Sequence, residues 1–150
     1  MRYLVGIGTY AATDDSIGLR VAEAIAAEGL DKGFTAIDLG GNLLDLLHYL
    51  GEGIERVLVV DAARMGREPG EHQLFTLEHA RTRKDLAGLS THEDDLAKVL
   101  ELARALGRPL PPITVLGIEP ADVSSGMGLS SALEARFREY VVAAVGFFGG

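Results

Sequence analysis

No cysteine occurs anywhere in the 150 residues. Disulfides, thiolate metal ligands and cysteine nucleophiles are excluded together, and any metal must be held by His, Asp or Glu. Long apolar runs are missing too: the longest, Tyr140 to Phe148, falls far short of the roughly 20 residues that span a bilayer. The opening Met1-Arg2-Tyr3-Leu4-Val5-Gly6-Ile7-Gly8 turns polar too soon for a signal-peptide apolar region, so the chain reads as cytoplasmic. Positive charge is scarce. The 14 basic residues stand against 22 acidic ones, a net charge of −8, which argues against nucleic acid or an anionic membrane as partner. With no repeat, low-complexity tract or linker, residues 1–150 read as a single domain, with nothing that demands more than a monomer.

What is present fits a globular protein: 47% hydrophobic and 24% charged residues. Area scaling predicts roughly 7,300 Å² of folded surface against about 23,000 Å² unfolded, enough burial for a substantial core. Tyr3–Ile7 and Arg56–Val60 are short apolar, β-branched runs of the kind buried on both faces of a sheet; Phe34–Asp38 and Ile113–Ile118 read the same way. Between them Ile17, Val21 and Ile25 form a helical stripe, Leu43–Leu50 a short Leu-rich helix, and Leu96, Val99, Leu100, Ala103, Leu106 and Leu133, Phe137, Tyr140, Val141, Ala144 two stronger helices. The alternation predicts an α/β domain of three layers, a mostly parallel twisted sheet of about five strands with helices on both faces. The connection from Asp61 to the apolar stretch Gln73–Leu77, through Gly66 and Pro69-Gly70, is too short for a crossover helix, so that strand is expected to run antiparallel.

Open α/β sheets bind ligands beyond the carboxyl ends of their strands. Three groups are expected there: Asp15 after the first strand, Asp61 capping Val57-Leu58-Val59-Val60, and His92 at the start of the helix that leads to the last strand. Two carboxylates and an imidazole suit a borderline divalent cation such as nickel, zinc or manganese, with coordination positions left open. Each has a plainer alternative. Asp14 and Asp15 fit helix N-terminal acids equally well. Asp61 has no local group to cap. His92 lies in Ser90-Thr91-His92-Glu93, a capping-box pattern whose helix dipole would keep the imidazole neutral. His48, His72 and His79 read as ordinary, the last two on exposed segments flanking the antiparallel strand.

Gly6-Ile7-Gly8-Thr9-Tyr10-Ala11 loosely matches a dinucleotide fingerprint, with Asp38 as the ribose-binding acid. Against it, the helix does not start at the glycines, and Asp14-Asp15 would put negative charge where a pyrophosphate must sit.

Several segments together resemble the nickel–iron hydrogenase maturation endopeptidases. They are Gly6-Ile7-Gly8-Thr9, Asp14-Asp15-Ser16-Ile17-Gly18, Val59-Val60-Asp61-Ala62, Pro69-Gly70, Ser90-Thr91-His92, Gly117-Ile118-Glu119-Pro120 and Gly128-Leu129-Ser130. The resemblance implies a twisted α/β sheet with one antiparallel strand. It also implies a protease that removes a C-terminal extension from the precursor of a hydrogenase large subunit once nickel is inserted. It places the metal and catalytic residues on Asp15, Asp61 and His92, and the nickel on the substrate, with zinc, cadmium or another divalent ion able to substitute. No serine with a neighbouring His–acid pair offers itself as a nucleophile. The family's Asn is Thr9 here, and its D-G-G-T-x-G turn reads Asp38-Leu39-Gly40-Gly41-Asn42-Leu43. That turn is associated with substrate recognition, which puts Asp38, Gly40 and Gly41 on the substrate and points to an atypical hydrogenase. Gly40 and Gly41 also suit a tight strand-to-helix turn needing positive φ. Of another class is a maturation chaperone that keeps the metal ligands and does not cut.

Overall fold

The structure is a computed structural model and describes residues 1–40, 43–76, 93–107 and 109–149. Five strands, β1 (Arg2–Ile7), β2 (Thr35–Gly40), β3 (Arg56–Ala62), β4 (His72–Thr76) and β5 (Ile113–Ile118), form one sheet in the order β2-β1-β3-β5-β4. All neighbours are parallel except β4, which pairs antiparallel with β5 from His72↔Ile118 to Thr76↔Thr114. The antiparallel strand was readable from the short connection; Leu77 lies outside the described residues.

Alternation along the central strands builds two cores. Val5, Val57, Val59, Ile113 and Val115 face Leu46 and Leu50 and, from α2 (Glu93–Ala105), Val99, Leu100 and Ala103. Leu4, Leu58, Val60, Leu116 and Ile118 face the other way, onto Ile17, Val21, Ala22 and Ile25 of α1 (Ile17–Ala27). The same core takes in Leu133 of α3 (Ser131–Ala135) and Tyr140, Val141 and Ala144 of α4 (Phe137–Gly149). The accessible surface is 7466 Å², close to the value scaling predicts.

The short Leu-rich helix is present as a 3₁₀ helix, Leu43–Tyr49. Three expectations are corrected. The last stripe is split at Arg136 into α3 and α4, although no Gly or Pro marks the break. Leu106 falls beyond α2 and is exposed. His72 begins β4 half-buried, its ring edge-on to Tyr140 at 5.6 Å. The Tyr140 hydroxyl in turn donates to the Gly70 carbonyl at 2.6 Å, tying α4 to the turn that leads into β4.

What carries α1 to the carboxyl edge is a pair of glycines. A Cβ on Gly6 would overlap the Gly18 carbonyl oxygen, and one on Gly18 would overlap the carbonyl oxygens of Val60 and Ile7. Only residues without side chains allow the first turn of α1 to lie directly on β1 and β3.

Candidate active site

β1 and β3 run side by side as far as Gly6↔Val60, so the next residues, Ile7 and Asp61, emerge at the same edge. Asp61 is not a cap after the strand, as the sequence suggests. It is the penultimate residue of β3, paired with Gly117 of β5 and fully buried. Beyond β1 the chain turns through Gly8 (φ +136°) into the 3₁₀ turn Asp14–Ser16. A Cβ at Gly8 would overlap the Asp15 carbonyl oxygen and stand 4.0 Å from Asp61 Oδ1. Gly8 is therefore the shared neighbour of the Asp15 main chain and the Asp61 carboxylate, and its positive φ keeps other residues out. The Thr9 N–H donates to the Asp15 carbonyl at 3.3 Å, closing the loop.

Asp15 and Asp14 have different fates. Asp15 Oδ1 is buried without a hydrogen-bond partner among the described residues. Burial pushes its carboxyl above the usual carboxylate range; the Arg64 charge opposes that shift and the Asp14 charge adds to it. A buried carboxylate oxygen left unsatisfied is costly, and a cation is the partner that would repay it. Asp14 is fully buried but held by donors from residues 121–130. Both acids stand in the first turn of the 3₁₀ helix, as the plainer reading of the sequence has it, but the Asp14 carboxylate bonds go to residues 121–130 and not to the amides of its own helix. The two acids at the entry to α1 leave a pyrophosphate no favourable seat, which argues against the dinucleotide alternative.

Glu119, immediately after β5, was not singled out from the sequence as a site residue. It is buried, and its Oε1 accepts the N–H groups of Met65 (2.7 Å) and Arg67 (3.0 Å). It thereby shapes the loop that carries Arg64 past Asp61. On the far side of the edge, Asp38 is exposed, and its Oδ2 accepts the Tyr10 hydroxyl at 2.8 Å, while Glu23 Oε2 lies 2.6 Å from the same hydroxyl. Burial and both carboxylates hold the Tyr10 phenol well above its ordinary pKa. Gly40 closes β2 beside Ile7. His92, Gly41 and His79 lie outside the described residues; α2, which His92 immediately precedes in the chain, packs on the sheet face shared by Val57 and Val59. By strand alternation Asp61 belongs to that face as well.

These residues can be set beside known proteins. The sequence profile HycI, described as hydrogenase maturation protease, matches residues 19–146, a span that includes Asp61 and His92 and begins just after Asp15. The chain is 28% identical over 126 residues to the hydrogenase expression/formation protein HupD of Bradyrhizobium diazoefficiens, covering 83% of this chain and 65% of that protein. It thus spans about two thirds of that relative's length. To the hydrogenase 2 maturation protease of Escherichia coli it is 29% identical over 161 aligned positions, covering 97% of this chain and 91% of the relative. The solved structure of the NiFe hydrogenase maturation protease HybD from Thermococcus kodakarensis is similar at a TM-score of 0.79 and 25% identity, over 97% of each chain. A profile match over most of the chain, joined to the same fold, means that this chain belongs to the hydrogenase maturation protease family.

Proposed function

We propose that the chain is an endopeptidase that removes the C-terminal extension of a nickel–iron hydrogenase large-subunit precursor after nickel insertion, acting as a monomer in the cytoplasm. The observation that carries the reading is Asp15 Oδ1, buried and without a hydrogen-bond partner among the described residues, on a turn whose main chain shares Gly8 as a neighbour with the Asp61 carboxylate at the carboxyl edge of the sheet. On this reading Asp15 and Asp61 supply anionic oxygens, and His92 a ring nitrogen, to the nickel that the precursor brings. Three protein donors leave coordination positions for ligands from the substrate. Nickel so placed polarises the scissile carbonyl or acidifies a water. The chain's own part is to hold those donors in a preorganised edge and to bury Asp61 away from bulk water, where its charge acts most strongly. Substrate recognition falls on Asp38 and Gly40, at the carboxyl end of β2, and on Gly41, which follows them in the chain, with Asp38 steadied by Tyr10.

Co-expression of a candidate large subunit with and without this protein, followed by intact-mass analysis, tests the proposal. Loss of the extension only when the protein is present supports it. A large subunit that is bound but keeps its full mass would favour the non-cleaving chaperone.

A further inference from the structure

The Asp14 carboxylate receives four donors, all from the segment after β5. Oδ2 accepts the N–H groups of Ala121 (2.8 Å) and Asp122 (2.9 Å) and the Ser130 hydroxyl (2.7 Å); Oδ1 accepts the Ser130 N–H (2.8 Å). The main chain reinforces the joint. Asp14 N–H donates to Asp122 O (2.9 Å), Thr13 N–H to Ser124 O (3.1 Å), and Gly126 N–H to Ala11 O (2.9 Å). Three of the four donors fall on Oδ2 and one on Oδ1, and the side chain is fully buried. Asp14 is thus committed to residues 121–130, and the mechanism does not use it.

Its neighbour is in the opposite condition. Asp15 Oδ1 has no hydrogen bond to aim it among the described residues, so its direction is inherited from the backbone. In a 3₁₀ turn there are three residues per turn, and successive side chains stand about 120° apart. Locking Asp14 onto residues 121–130 consequently fixes where Asp15 faces. The main-chain bonds on either side of Asp15, Thr9 N–H to Asp15 O and Ser16 N–H to Thr13 O, are long at 3.3 Å. The Ser16 hydroxyl, which donates to Thr13 O at 2.7 Å and accepts from Arg20 Nε at 2.8 Å, holds the end of the turn but not the Asp15 side chain.

We propose that Asp14 is the positioning residue for Asp15: a buried carboxylate, held by the 121–130 segment, that sets the backbone from which Asp15 reaches the substrate's metal. The proposal rests on the role given above to Asp15.

The test compares wild type, Asp14→Asn, Ser130→Ala and Ile25→Ala; the last is a core truncation at the far end of α1 that serves as a destabilised control. Below every melting temperature, amide hydrogen exchange at Thr9 and Ser16 is measured in the free protein, and kcat and KM are measured on nickel-loaded precursor. In Asp14→Asn, Thr9 and Ser16 should exchange about tenfold faster or more than in the control. Its kcat should fall on the order of 10²-fold while KM stays within about twofold. Ser130→Ala should lie between. Exchange at Thr9 and Ser16 no faster than in Ile25→Ala, or an unchanged kcat, would overturn the assignment. If wild type itself fails to cleave, the proposed activity falls, while the exchange comparison still decides whether Asp14 holds this backbone.

Discussion

Gly6 lies directly under the Gly18 carbonyl, while Gly18 lies on the carbonyls of Ile7 and Val60, and these contacts, which leave no room for a Cβ on either glycine, fix the first turn of α1 against the sheet within a turn of Asp15. Gly18→Ala should therefore lower stability by about 3 kcal/mol or more, because its methyl would overlap backbone carbonyls that cannot swing aside. Thermal or urea unfolding measures this. Ala at Gly29, which faces open space but has φ +68°, should cost about 1 kcal/mol, from backbone strain alone.

Asp15→Asn should abolish precursor processing and leave the melting temperature at or above that of wild type. The native carboxylate ionises in a partly buried place with one oxygen that has no hydrogen-bond partner among the described residues, so removing the charge relieves a cost that the substrate's metal would offset. A clear loss of stability in this variant would mean that Asp15 holds the fold and does not serve the site.

Asp61→Asn should likewise lose processing with a near-native melting temperature. Val59→Ala and Leu100→Ala, both buried away from the edge chemistry, should destabilise by roughly 1 to 4 kcal/mol through lost burial. Activity per folded molecule should survive in the Leu100→Ala protein. Urea melts alongside single-turnover processing separate the two classes.

Tyr140→Phe should cost about 0.5 to 1.5 kcal/mol by removing the hydrogen bond to Gly70. Burial pushes the Tyr140 phenol up to about 12 from an ordinary 10.0, so the native state keeps that proton where the unfolded chain releases it. Stability from this group is intact below pH 10 and is lost as pH rises towards 12. Urea unfolding between pH 9 and 12 should show a shallower decline in the Phe variant.

Much of this could be read in the sequence because it is local. The unbroken apolar run Val57–Val60 identified a strand buried on both faces, and the short link through Pro69-Gly70 gave the direction of β4. What escaped depends on partners far along the chain. Asp14 is held by residues 107 to 116 positions away, so nothing near it distinguished a structural acid from a helix cap. Asp61 was placed after its strand because the pairing that extends β3 to Ala62 comes from β5. The argument that marked Asp61, an acid at the end of a buried strand, applies equally to Glu119. There the structure gives a structural answer, since two loop amides take up its Oε1. The break between α3 and α4 left no trace because the apolar spacing from Leu133 to Ala144 continues across it.

The central claim is that Asp15 and Asp61 read nickel on the substrate. Purified enzyme should be incubated with precursor prepared with and without nickel, and with a metal-free peptide spanning the cleavage site, and loss of the extension followed by mass. Open coordination positions make binding energy available only when the metal is present, so nickel-loaded precursor should be cut while nickel-free precursor and peptide remain intact even at high concentration. Equal cleavage of loaded and unloaded precursor would contradict the account.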